Sequence, residues 1–245
     1  MEYGTVGWTK GQVLGGRWKP LHYEMKRSLY TNQLVTCGSD LNHGGGGKSS
    51  KAHVCYALND GIDAFEGHVV ISALPLVQSA AAVTAAAAAT ATATAVAPAP
   101  QVLNLTMAAG PGIRQWFTVS DSMWELGLAG THVLVVDVTD AASNTVVHNH
   151  VILLTTPKKL SLAKATVKYT LGGALNQDGS VPIAVTSDEV ALFVTFTTLA
   201  QGRFTDNSFH VTPSKPVQID FVPFANFSRA ELQSTLRVEH LQQNL

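Results

Sequence analysis

His148 and His150 alternate along a β-patterned run, so both imidazoles project from one strand face and could reach a single metal ion. No third ligand is in view, and a solvated strand face without metal is therefore expected. Gly44-Gly45-Gly46-Gly47-Lys48-Ser49 has the composition of a phosphate cradle. That motif needs a glycine where Asn42 stands, with a strand before it and a helix after it to aim the amides, so a hairpin connection is expected instead. Arg203 and Asp206 lie three residues apart between Phe204 and Phe209, a spacing that can tie a turn to its own backbone and fix a strand corner. A Ser-His-Asp triad would need a local nucleophile signature, and none is present. Cys37 and Cys55 fall near the ends of neighbouring β-patterned runs, where a bridge is geometrically open to them. Two buried thiols are the expected state, because unpaired cysteine is commonly a core residue.

Charged residues are 13% of the 245 and the net charge is −1. That balance gives no electrostatic case for nucleic acid or an anionic membrane as partner. Nothing in the residue pattern calls for a cofactor. Asn104-Leu105-Thr106 and Asn226-Phe227-Ser228 are N-glycosylation acceptor sequences, which have use only in a secretory chain. Met1-Glu2-Tyr3-Gly4 has neither the basic start nor the apolar run of a signal peptide.

The elements that must position these residues begin with one helix. Residues 15–30 read as a short helix, with Pro20 suited to its first turn and Lys26 and Arg27 placed where the dipole favours cations. Trp18, Leu21, Met25 and Leu29 fall three and four apart, which predicts an apolar stripe that something must cover. No later segment offers a matching helix. From Leu34 onward short runs of Val, Thr and Phe alternate with polar residues between Gly, Asn and Asp turns, the pattern of β-sandwiches. Trp116 and Trp124 read as sandwich packing. Residues 79–100 are almost entirely Ala, Thr, Val and Pro. They lack the Leu, Ile and Phe of a membrane span and the amphipathic face of a helix, so a low-complexity loop insertion is expected, with no membrane contact. Pro157-Lys158-Lys159 marks a second boundary. The chain therefore divides into residues 1–32, a sandwich over 33–156, and a second sandwich over 157–245.

Three segments in the same order carry a family resemblance: Gly7-Trp8 with Gly15 through Tyr23, then Pro157-Lys158-Lys159-Leu160 with Leu162 through Ala165, then Gly202-Arg203-Phe204-Thr205-Asp206-Asn207-Ser208-Phe209. The first resembles the closing segment of the (β/α)8 barrel in β-mannosidases of glycoside hydrolase family two. The other two resemble the immunoglobulin-like domain at the C-terminus of those enzymes. The resemblance implies a mostly β chain, two immunoglobulin-like sandwiches preceded by one helix left over from a barrel. It implies a parent enzyme that removes terminal β-linked mannose from glycans, is lysosomal or secreted, and has a barrel that packs on helix 18–30.

Retaining glycoside hydrolysis uses two carboxyl groups about 5–5.5 Å apart, one a proton donor and one a nucleophile. In the family both are barrel glutamates. Glu2, Glu24, Glu66, Glu125, Glu189, Glu231 and Glu239 match neither position, so no catalytic residue is expected in this chain. Trp8, in the loop after the last barrel strand, is the candidate substrate-adjacent residue. Arg203 and Asp206 are expected to be structural, with a sugar-facing pair as the alternative. The rival reading of the whole chain is a non-catalytic carbohydrate-binding or interaction module.

Overall fold

The computed structural model describes residues 12–13, 17–29, 31–37, 54–77, 98–224 and 227–245. Trp8, Asn226, the glycine run at 44–47 and most of the Ala/Thr segment lie outside these residues. Two compact units form: one contains the described residues up to Lys26 together with Leu162–Leu245, and the other contains Arg27–Val77 and the described residues from 98 to Ser161. The N-terminal helix is thus grouped with the last sandwich in the sequence rather than the next one.

The first sandwich has strands β3 (Gln33–Cys37), β4 (Val54–Asn59), β5 (Phe65–Pro75), β6 (Gln101–Met107), β7 (Ile113–Thr118), β8 (His132–Asp140) and β9 (Val146–Ile152). They form antiparallel sheets in the order β3-β4-β7 and β6-β5-β8-β9. Period-two alternation decides what is inside: Val35, Cys55, Ala57, Val69, Ile71, Leu105, Leu134 and Val136 make one apolar core. Asn59 is buried with its amide fully used, donating to the Asp63 and Ala108 carbonyls and accepting from the Gly61 N–H and the Gln33 amide. The open edges of the two sheets are closed by two glutamines. Gln115 donates to the Asn104 carbonyl of β6 and accepts the Thr106 N–H, while Gln101 donates to the Thr118 carbonyl of β7 and accepts the Ser120 N–H. Each side-chain amide stands in for a neighbouring strand, the usual need of an exposed edge.

The second sandwich has β10 (Val167–Leu171), β11 (Val181–Ser187), β12 (Ala191–Thr197), β13 (Gly202–Phe204), β14 (Phe209–Val211), β15 (Val217–Pro223) and β16 (Arg237–Glu239). Its sheets run β10-β11-β15-β13 and β14-β12-β16. Four strands against three, in both units, is the arrangement of a constant-type immunoglobulin domain. Phe196, Phe204, Phe209 and Phe221 fill the centre of this core. Gly202 is obligatory where β13 crosses it, since a Cβ would collide with the Phe221 ring and the Val222 carbonyl.

Several expectations change. Helix α1 spans Pro20–Leu29, and Trp18 precedes it in the short strand β2 (Arg17–Trp18), paired with β1 (Gln12–Val13). Trp18 is therefore no part of a helical stripe, and Leu21 is 49% exposed while Tyr23 is 1% exposed. Two further helices, α2 (Asp121–Leu128) and α3 (Arg229–Thr235), break the strand-only reading. Asp121 opens α2 with a negative charge at its positive end, and Ser228 caps α3 by accepting the Glu231 N–H. Trp124 is buried as expected but from α2, where Gly127 lets Leu154 approach. Pro157–Lys159 forms a 3-10 turn held to the first sandwich, with Ser161 donating to the Gly130 carbonyl. No described helix is long and apolar enough to cross a membrane.

Candidate functional site at the helix and sandwich seam

Tyr23 projects from α1 into the second sandwich, where it belongs to the core and its hydroxyl donates to the Phe204 carbonyl at 2.9 Å. Beside it, the Arg203 guanidinium lies over the Trp18 ring at 4.3 Å, and Trp18 packs on His22 at 4.2 Å between centroids. Burial, then the Lys26 and Arg203 charges, hold the His22 imidazole below its usual range. One residue further along the helix, Glu24 accepts a hydrogen bond from the Ser208 hydroxyl at 2.8 Å. Apart from the Trp18–His22 pair, these contacts join α1 or β2 to β13 and to the turn that follows it. Tyr23→Phe should cost about 1 kcal/mol, the net worth of a buried hydrogen bond with the ring retained. Urea unfolding of the second sandwich checks it.

Arg203 and Asp206, read as one turn, serve two different contacts. Arg203 clamps Trp18, and the Asp206 carboxylate accepts the Asn207 N–H at 2.8 Å. The residue that sequence reasoning missed is Asn207. It is buried, and its amide accepts the Phe196 N–H at 2.7 Å and donates to the Phe196 carbonyl at 2.9 Å. The β12–β14 ladder ends at Val194 opposite Phe209, so Asn207 continues it where β14 has turned away. The motif from Gly202 to Phe209 is thus a buried corner.

Cys37 and Cys55, expected as thiols, form a disulfide between directly opposed residues of β3 and β4. His148 and His150, expected on a solvated face, share the inward phase of β9 with Ile152. His148 is 5% exposed, and its Nε2 makes no hydrogen bond among the described residues. Burial, then the charges of His150 and Arg27, outweigh Asp137 and push its imidazole down to about 4. No group of three His, Cys, Asp or Glu side chains suited to a metal occurs among the described residues.

The described glutamates each lie on or beside a different element. Glu24 is on α1, Glu66 on β5, Glu125 on α2, Glu189 between β11 and β12, Glu231 on α3 and Glu239 on β16. Trp116, expected inside, is 61% exposed on β7. Its ring lies 4.9 Å from that of Tyr56, over which Arg114 sits at 5.2 Å. Among the described residues of the first sandwich, this outward row is the one exposed aromatic cluster in which a tryptophan takes part. Trp116→Ala should change stability by at most about 1 kcal/mol, since only the aromatic pair is lost. Thermal unfolding of the first sandwich checks it.

Residues 161–244 match the Ig-fold domain family Ig_mannosidase. No curated protein matches the chain in sequence. Among solved structures, the β-D-mannosidase of Dictyoglomus thermophilum is similar with a TM-score of 0.61 at 16% identity, over 92% of this chain and 23% of that one. The exo-chitosanase CsxA of Amycolatopsis orientalis gives a TM-score of 0.54 at 13% identity, over 90% of this chain and 26% of that one. The chain therefore spans about a quarter of the length of the structures it resembles. At such identities the likeness establishes the fold, two immunoglobulin-like sandwiches, and nothing beyond it.

Proposed function

We propose that this chain is the C-terminal sandwich region of a family-two β-mannosidase, whose parent enzyme hydrolyses terminal non-reducing β-D-mannose in glycans. The observation that carries the reading is the seam. The segment resembling the end of a barrel is fastened to the last sandwich by Tyr23 on Phe204 and by Arg203 over Trp18. A clamp of that kind gives the sandwich a purpose, to hold the closing helix of a barrel in place. The exposed Leu21 side of α1 is then the side the barrel covers. The two hydrolytic carboxyl groups belong to that barrel, and residues 1–245 alone should not cleave a β-mannoside. Purified chain incubated with p-nitrophenyl β-D-mannoside should release no nitrophenol above a blank; turnover proportional to chain concentration would overturn the assignment of the chemistry to the barrel.

A second reading rests on Trp116. An exposed indole beside Tyr56 offers the apolar faces on which pyranose rings stack, which suits a non-catalytic carbohydrate-binding module. That reading expects retention of the chain on immobilised mannan, lost in Trp116→Ala with the fold intact. Equal retention of the two proteins, or none, dismisses it.

A further inference from the structure

The Asn104-Leu105-Thr106 sequence lies within β6, an edge strand of its sheet, and extended backbone places Asn104 and Thr106 on the same face. That face is the outward one: Val102, Asn104 and Thr106 are exposed while Leu105 and Met107 enter the core. The backbone of the acceptor is committed elsewhere, since the Asn104 carbonyl and the Thr106 N–H are both held by Gln115. The Asn104 side-chain amide makes no hydrogen bond among the described residues. Both groups that define an N-glycosylation acceptor, the amide and the hydroxyl two residues on, are therefore presented together to solvent on a backbone that needs neither. The Cys37–Cys55 disulfide is an independent pointer to the same compartment, because such bonds persist where thiols are oxidised and N-glycans are added.

We infer that Asn104 carries an N-linked oligosaccharide. In the step, Asn104 Nδ2 forms a bond to the anomeric carbon of an oligosaccharide delivered on a lipid diphosphate. The carbon–oxygen bond to the diphosphate breaks, its electron pair leaves with the lipid diphosphate, and one amide proton passes to base. Attached there, the sugar lies over Val102, which is 61% exposed, and over the outward side of His68, the residue opposite Asn104 on β5. It covers an exposed valine on an edge strand that would otherwise be open to association. This inference does not depend on the hydrolase reading.

The test is peptide mass spectrometry of the full-length protein isolated from its source, before and after treatment with peptide N-glycanase. The expected result is loss of an oligosaccharide from the Asn104 peptide with conversion of that residue to aspartate. In the expressed protein, Thr106→Ser should keep the modification, while Thr106→Ala should lose it with Asn104 still in place and β6 still paired. An unmodified Asn104 peptide in the untreated native protein would overturn the inference, as would retention of the sugar in Thr106→Ala. Oxidised cysteines beside an unmodified Asn104 would place the fault in acceptor use. Reduced cysteines would place it in the compartment.

Discussion

Asn207→Ala should destabilise the second sandwich by about 4 kcal/mol, the largest loss expected from any polar substitution in it. The change deletes both hydrogen bonds to Phe196 and leaves a buried N–H and a buried C=O unpaired. Each orphaned group costs about 1–3 kcal/mol, because neither water nor another strand replaces the amide. Phe196 itself sits in the aromatic core, packed 5.6 Å from Tyr169 and 5.8 Å from Phe204 between centroids, so the backbone cannot swing out to solvent without losing that packing. Asn207→Asp keeps an acceptor for the Phe196 N–H but loses the donor and buries a charge, and should be no better. Urea unfolding gives the free energy, and hydrogen exchange at the Phe196 amide gives the mechanism. A loss under about 1 kcal/mol, with that amide still protected, would show that the corner is not held this way.

His148 should make the first sandwich weaker in acid by about 3 kcal/mol. The folded protein holds this imidazole down to about 4, against an ordinary value of 6.5 when unfolded. Between those two values the unfolded chain binds a proton that the folded chain refuses, so stability falls as pH drops from about 6.5 to about 4 and changes no further below that. One pKa unit is about 1.4 kcal/mol, which sets the size of the loss. The charged and titratable groups facing His148 are His150, Arg27 and Asp137, and the first two oppose its protonation. His148→Phe should abolish this part of the acid sensitivity and raise stability near neutral pH, since the unpaired Nε2 also disappears. Denaturant unfolding of both proteins at pH 7 and pH 4.5 checks it, read as the difference of differences so that carboxylate effects cancel. The same slope in both proteins would contradict the account. Within the proposed secretory setting, an acidic lysosome would have to offset this weakness, whereas a near-neutral exterior would not.

The parts of the fold set by local chemistry were legible. Pro20 begins α1, and the short runs of Val, Thr and Phe from Leu34 onward form the strands of both sandwiches. What failed depends on which phase of an alternation faces inward. In β7 one phase holds Ile113, Gln115 and Phe117 and the other Arg114, Trp116 and Thr118, so each offers an aromatic and periodicity cannot choose. In β9 both phases mix apolar and polar residues, and only packing turns His148 inward. The helix α3 carried a readable signal, Ser228 three residues before Glu231, lost among strand-like neighbours. Asn207, Gln101 and Gln115 carried none. An amide that replaces a strand is recognisable only once the strand it replaces is known to be absent.

The most direct test of the central proposal is the mass of the native protein, read by immunoblot of its source cells with an antibody raised against residues 158–245. The account predicts a band several times the 25.9 kDa of this chain, large enough to include a barrel with its own glutamates. A single band near 25.9 kDa would contradict it, leaving the α1 seam without a barrel to hold and the exposed Trp116 face as the feature to pursue.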